Sequence, residues 1–213
     1  MNNRRNSDRS AILLCNGEPP PRLLVRRLAT EADYFVCADG GANAAMEYRV
    51  TPDVIIGDLD SVSPKTRRFF RDVPLIRVSR QDNTDLEKAL GHLRQRGIHK
   101  VVILGATGRR LDMTLANLSV LWNYTRSMDL TCVGEGWTAI PVTGTLAMRA
   151  RRGTIVSLVP FGACSGITLV GLRYPLHEAR MRVGEIGVSN VVTRSPFRVT
   201  VKRGKMMVVV SRT

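Results

Sequence analysis

Aspartates stand at or just past the ends of short apolar runs in the first half of this chain. Val36-Cys37-Ala38 runs into Asp39-Gly40-Gly41-Ala42-Asn43, and Val54-Ile55-Ile56 into Gly57-Asp58-Leu59-Asp60-Ser61. Leu75-Ile76-Arg77-Val78 leads to Gln81-Asp82-Asn83-Thr84-Asp85, and Val101-Val102-Ile103-Leu104 opens into Gly105-Ala106-Thr107-Gly108-Arg109-Arg110-Leu111-Asp112. Carboxylates crowded together repel unless a cation holds them, and acids two residues apart, such as Asp58 and Asp60, suit magnesium, which takes oxygen ligands and bridges substrate phosphates. Each segment by itself is ordinary loop chemistry, since Asp and Gly are turn residues. Their recurrence at successive run ends is what points to a magnesium and phosphate site.

Such turns can converge only if the runs are strands of one open parallel sheet, where the carboxyl ends share an edge and a crevice opens. The elements needed are legible. Ala11 to Cys15, Tyr34 to Ala38, Asp53 to Ile56 and Lys100 to Leu104 read as strands, and Arg22 to Ala29 and Ala42 to Tyr48 as helices. Asp85 to Arg96 places Leu86, Ala89, Leu90 and Leu93 at i, i+3, i+4 and i+7 behind a Thr84/Glu87 capping box, with Gly97 as the stop. Leu111, Leu115, Leu118 and Leu121 or Trp122 predict an apolar face on the next helix. After about Met128 the long helical periods vanish, and Ile155 to Val159, Gly166 to Val170, Phe197 to Val201 and Met206 to Ser211 read as strands of an antiparallel sandwich or barrel. The expected fold is therefore an N-terminal α/β domain, 1–128, with an open, mostly parallel sheet flanked by helices, and a C-terminal all-β domain, 129–213.

At 213 residues and 44% hydrophobic the chain can bury a real core. No apolar stretch approaches the roughly 20 residues that span a bilayer, and the N-terminus has no apolar h-region, which predicts a cytoplasmic protein without membrane attachment. Four widely spaced cysteines without a C-x-x-C pair read as reduced core thiols. A formal charge of +14 raises nucleic acid as a partner. Scattered basic pairs and only 5% aromatics argue against it, and a basic surface that attracts a polyphosphate accounts for the same balance.

The motifs in combination resemble the thiamine pyrophosphokinase family over nearly the whole chain. The resemblance rests on Asp39-Gly40-Gly41-Ala42-Asn43, Pro52-Asp53 with Gly57-Asp58-Leu59-Asp60-Ser61, Gln81 to Asp85, Gly105 to Gly108 with Arg110-Leu111-Asp112 and Leu115-Ala116-Asn117, in that order. Gly171 to Leu176 and Gly187-Val188-Ser189-Asn190 are similar to the family's thiamine-side segments. The resemblance implies transfer of a diphosphoryl group from ATP to thiamine, giving thiamine diphosphate and AMP with Mg2+. It also implies a homodimer whose sites draw on both domains and both subunits.

In those terms Asp58, Asp60 and Asp85 are expected to hold the metal, with Asp82 close by. Arg110 contacts phosphate, and Asp112 orients or deprotonates the thiamine hydroxyl, or merely caps its helix. Asp39, Gly40, Gly41, Asn43, Gln81, Thr107 and Gly108 form the nucleotide loops. Ser189 and Asn190 meet the thiamine pyrimidine, and Trp137 and Tyr174 are candidates for contact with its thiazolium. The chain departs from the family's usual pattern at Arg109, where many relatives have glycine, and at Met113, where many have histidine. A related transferase acting on a hydroxymethylpterin, or a nucleotide-binding homologue without turnover, would keep the same acids.

Overall fold

The structure, a computed structural model, describes residues 9–79, 82–185 and 187–211. The chain separates into two compact units, Met1–Glu135 and Gly136–Thr213.

In the first unit, strands and helices alternate as β1 (Ser10–Leu14), α1 (Arg22–Glu31), β2 (Tyr34–Ala38), α2 (Gly41–Tyr48), β3 (Val54–Gly57), α3 (Pro64–Phe69), β4 (Leu75–Arg77), α4 (Asp85–Gln95), β5 (Lys100–Leu104), α5 (Leu111–Val120) and β6 (Asp129–Gly134). Every pairing is parallel, in the order β6-β5-β1-β2-β3-β4. The chain thus builds outward from β1 to β4, then crosses to the other side of β1 for β5. That reversal between β1 and β5 is the switch point at which an open sheet leaves a crevice beyond its carboxyl ends.

Period two in the strands decides which layer each residue joins. Ile12, Leu14, Phe35, Cys37, Ile55 and Leu104 share a core with Val25 of α1 and with Ala42 and Ala45 of α2. The alternate residues, Leu13, Val36 and Ile56, are equally buried and belong to the opposite face. Leu86, Ala89, Leu90 and Leu93 form the buried stripe of α4, which packs across β1, β2 and β3. Thr84 caps α4, accepting the Glu87 amide at 3.2 Å, as its sequence predicts. Ser63 caps α3 in the same way, with Pro64 at its first position.

Two expectations are corrected. The first part, expected to end at residue 128, takes in one more strand: Asp129–Gly134 pairs with β5 from Lys100↔Asp129 to Leu104↔Val133 and completes the parallel sheet. The change of rhythm precedes the unit boundary by one element, because this last strand is not followed by a helix. The apolar face expected from Leu111, Leu115, Leu118 and Leu121 or Trp122 turns inward only at its far end: Leu121 and Trp122 are buried, whereas Leu111 is 73% exposed and Leu115 57%. The helix instead turns Asn117, its one buried residue, inward.

The second unit comprises β7 (Trp137–Val142), β8 (Thr145–Met148), β9 (Ile155–Pro160), β10 (Cys164–Val170), β11 (Ala179–Met181), β12 (Asn190–Val191), β13 (Phe197–Arg203) and β14 (Met206–Ser211). They form two antiparallel layers, β12-β9-β14-β7 and β11-β10-β13-β8, which is a sandwich and not a closed barrel. Val156, Leu158, Ile167, Phe197, Val199 and Val208 fill the space between the layers. All four cysteines are free and buried, and burial pushes the Cys132 thiol up to about 12. Among the described residues no helix is long and apolar enough to cross a membrane.

The α2 N-terminus lies so close to the end of β1 that a Cβ on Gly41 would sit 2.1 Å from the Leu14 carbonyl oxygen. Gly41→Ala should therefore cost about 2 to 3 kcal/mol, as overpacking against backbone does. Urea unfolding measures it, and an unchanged midpoint would refute this account of the packing.

Candidate active site

The crevice predicted by the strand order is present. A cleft of about 380 Å3 is lined by Cys15, Asn16 and Gly17 after β1, Asp39 after β2, Asp58, Asp60 and Ser61 after β3, Asp85 and Leu86 at the start of α4, Ala106 to Arg110 in part after β5, and Met113 and Asn117 of α5. Its floor is a continuation of the β1 and β5 pairing beyond the sheet. The Cys15 amide donates to Leu104 at 2.8 Å, Gly17 to Gly105 at 2.7 Å and Glu18 to Thr107 at 2.7 Å. A Cβ on Gly17 would lie 2.3 Å from the Thr107 oxygen, so only glycine allows this approach. A larger depression of about 470 Å3 lies at the opposite edge of the sheet, but its acids are spent on strand amides: Asp53 accepts from Phe35 at 2.6 Å and Asp33 from Ser10 at 2.8 Å.

Three carboxylates converge in the cleft. Ligand atoms of Asp39, Asp58 and Asp60 all lie within 4.8 Å of one another. Asp39 is only 3% exposed, and its Oδ1 is buried without a hydrogen-bond partner among the described residues. Burial raises the Asp39 pKa, and Asp85 and Asp58 push it further in the same direction. A buried carboxylate oxygen without a donor, facing two more carboxylates, fits a hard divalent cation. Asp85 lines the same cleft and carries an ion pair. Its Oδ1 accepts from the Lys88 ammonium at 2.8 Å, and Lys88, whose side chain is 4% exposed, also lies 4.0 Å from Asp58. This buried cation offsets the acids from below, and the sequence reading did not single it out.

The turn between Asp58 and Asp60 is strained and clamped. Leu59 is buried with φ 67, a region that bulky residues avoid. Arg67 holds it by donating to the Leu59 carbonyl, and to Val62 at 3.3 Å. Asn43, expected in the nucleotide loop, spends its amide on the same segment: Nδ2 donates to the Ser61 carbonyl at 2.8 Å, while Oδ1 accepts from the Ser63 amide at 3.1 Å and Thr66 Oγ1 at 2.7 Å. Gly40 and Gly41 are likewise buried, where they let α2 pack on the strand ends.

The remaining expected residues divide. Gly108 lines the cleft, its amide donating to Thr114 Oγ1 at 3.1 Å, whereas Thr107 contributes its carbonyl to the floor. Arg110 lines the cleft and grips Asp112 through two contacts, Nε to Oδ1 at 3.1 Å and a second guanidinium nitrogen to Oδ2. Arg110 accordingly holds the Asp112 carboxyl below the usual carboxylate range, aided by the Met113 amide. Asp112 and Asp82 are exposed and not among the cleft-lining residues. Gln81 lies outside the described residues. Ser189 and Asn190 belong to the second unit. Ser189 has φ 64 and donates its amide to Ser157 Oγ at 3.0 Å. Asn190 is buried and binds the Tyr174 backbone in both directions, accepting at 3.0 Å and donating at 2.7 Å, which leaves the Tyr174 side chain 62% exposed.

Asn16, Gly17, Ser61 and Asn117 also line the cleft and Lys88 lies beneath it; Ser61 and Asn117 stand in the motifs quoted above without a role assigned to them. Asn117 carried the one available signal, a lone amide inside an apolar helical pattern. Its Nδ2 donates to the Ala106 carbonyl at 2.9 Å, and its buried Oδ1 has no partner.

Asn43→Ala should weaken cation binding about tenfold, the usual effect of losing an outer contact to a ligand segment. Magnesium titration calorimetry tests this, and unchanged affinity would remove Asn43 from the role. Asp39 binds its proton more tightly in the fold than in the unfolded chain, so without metal it favours folding below its raised pKa and costs stability above it. Magnesium affinity should therefore begin to fall, on acidification, at a higher pH than ordinary carboxylates dictate; Asp39→Asn should abolish that early loss.

Comparison with known proteins agrees with this geometry. Residues 25–133 match the family described as thiamin pyrophosphokinase, catalytic domain, and residues 145–206 match the thiamin pyrophosphokinase vitamin B1 binding domain. Thiamine pyrophosphokinase 2 of Oryza sativa subsp. japonica is 30% identical, covering 85% of this chain and 79% of that protein. The Bacillus subtilis thiamine pyrophosphokinase is 23% identical over 84% of this chain and 87% of its own. A crystal structure of thiamine pyrophosphokinase from B. subtilis matches with a TM-score of 0.84 at 20% identity, covering 95% of this chain and 99% of that one. The thiamin pyrophosphokinase from Candida albicans has a TM-score of 0.84 at 18% identity, covering 96% and 89%. The two structures speak for the fold, and the matched domains with the rice relative carry the assignment: this chain belongs to the thiamine pyrophosphokinase family.

Proposed function

We propose that the protein transfers a diphosphoryl group from ATP to thiamine, releasing AMP. The observation that carries this reading is the Asp39, Asp58 and Asp60 cluster at the switch point of a parallel sheet, in a chain whose two units match the family's catalytic and vitamin-binding domains. In the reaction the thiamine hydroxyl oxygen bonds to the β-phosphorus and the bridge to the α-phosphate breaks, so AMP leaves with the bridging electron pair. Magnesium, when bound, neutralises phosphate charge and lines up the attacking and leaving oxygens.

The chain's own residues supply the rest. Asp58, Asp60 and Asp85 hold the cation, with Asp39 beside them; Lys88 pairs with Asp85 and lies 4.0 Å from Asp58. Arg110, which lines the cleft, contacts a phosphate, and Asp112, held by Arg110, orients the thiamine hydroxyl or accepts its proton. The loops at Gly40, Gly108 and Gln81, with Asp82, receive the nucleotide. Ser189, Asn190 and the Tyr174 segment receive thiamine, so the α/β unit is assigned catalysis and the β unit the vitamin. We further assign a homodimer, supported by Leu111 and Leu115, which leave an apolar strip uncovered on the helix next to the cleft. A cytoplasmic location is consistent with the absence of a membrane-crossing helix among the described residues.

Incubation with thiamine, ATP and magnesium should yield thiamine diphosphate and AMP in equal amounts with no ADP, and hydroxymethylpterin should yield neither product. Asp60→Asn should lower turnover about a hundredfold or more, in the range for losing one electrostatic contact to the transferred group. Wild-type release of ADP instead of AMP would overturn the reaction type. Light scattering should give twice the chain mass, and Leu111→Asp with Leu115→Asp should halve it.

A further inference from the structure

Two adjacent guanidiniums line the cleft, and they are not equivalent. Arg110 is neutralised by its two-point pairing with Asp112. Arg109 has no carboxylate partner among the described residues; it donates to two neutral acceptors of Asn16, Oδ1 at 3.1 Å and the carbonyl oxygen at 3.4 Å. It does so from a left-handed backbone, φ 56, which costs energy for any residue with a Cβ. The strained conformation and the Asn16 contacts together set an unmatched positive charge across the mouth between the ends of β1 and β5, on the same cleft as Asp58 and Asp60.

We propose that Arg109 reads the length of the nucleotide's phosphate chain: it leaves Asn16 for the β- and γ-phosphate oxygens of ATP. This rests on the diphosphoryl-transfer reading above and deepens it. A charge-assisted bond to a phosphate oxygen is roughly twice as strong as one to a neutral carbonyl, so polyphosphate wins the exchange. Thiamine, a cation, gains nothing from a guanidinium, and AMP offers no β- or γ-phosphate. Arg109 is then a specificity-determining residue that tightens ATP and lets AMP go.

The test uses Arg109→Gly, which enters the left-handed region without strain, and Arg109→Asn, which tolerates it and is neutral. Both should melt no lower than the parent protein. Binding of a fluorescent ATP analogue and of AMP is measured at fixed free magnesium without thiamine, then the KM of each substrate. Both variants should lose ATP affinity about tenfold, the low end of what a hydrogen bond to a charged group supplies, with AMP affinity and the KM for thiamine changed less than twofold. Equal weakening of ATP and AMP, or unchanged ATP affinity alongside full transfer activity, overturns the proposal alone. A wild-type protein that discriminates ATP from AMP through Arg109 yet releases no AMP would overturn the transfer reading and uphold this one.

Discussion

Like charges brought together at the edge of a sheet are the constraint on which this molecule turns. Asp39, Asp58 and Asp60 converge within 4.8 Å, and one of Asp39's oxygens is buried with no donor facing it. Without compensation such an arrangement opposes folding. The surroundings compensate in part: Lys88 approaches from beneath, and the turn bearing Asp58 and Asp60 is tied down from outside by Asn43, Thr66 and Arg67. The remaining imbalance is one that a divalent cation would neutralise. The strain at Leu59 belongs to the same arrangement, because an ordinary turn would splay the two acids apart.

The switch point explains why this edge, and not another, carries the chemistry. With β5 placed on the far side of β1, the chain leaving each strand turns away in opposite directions and a crevice stays open between them. Glycine lets the two departing segments remain hydrogen-bonded beyond the sheet, so the floor of the cleft is backbone and not side chain. A floor of that kind leaves room for a nucleotide and fixes the loops on either side. Arg109 and Asn16 meet across it, the guanidinium donating to the Asn16 side chain.

Much of the plan was legible in the residues. The Thr84 cap, the α4 stripe and the buried strands follow from local physics, and the acids at the strand ends do line one cleft. Individual roles were less legible. Asn43 looked like a ligand group because it follows a glycine pair, yet its amide is consumed by three partners on a loop some twenty positions away. Asp85 was expected as a metal ligand because it ends an acidic motif; the fold adds a neighbour that the motif does not name, Lys88 one helical turn on, whose ammonium donates to Asp85 Oδ1. The leucines of α5 recur at helical spacing, but spacing alone does not say which way a stripe faces.

The sequence by itself determined the alternation of strands and helices, the antiparallel β part that follows, and the placing of aspartates at the strand ends, because apolar period, capping and turn residues act over a few neighbours. The motifs also determined the family. The tertiary structure alone decided that Asp39 stands with Asp58 and Asp60 as the tightest cluster, that Asp129–Gly134 closes the parallel sheet, and that Arg110 is matched by Asp112 while Arg109 is not. Those outcomes depend on which hydrogen-bond and charge partners arrive from distant segments, and no short-range pattern encodes a partner that only the packing brings within reach.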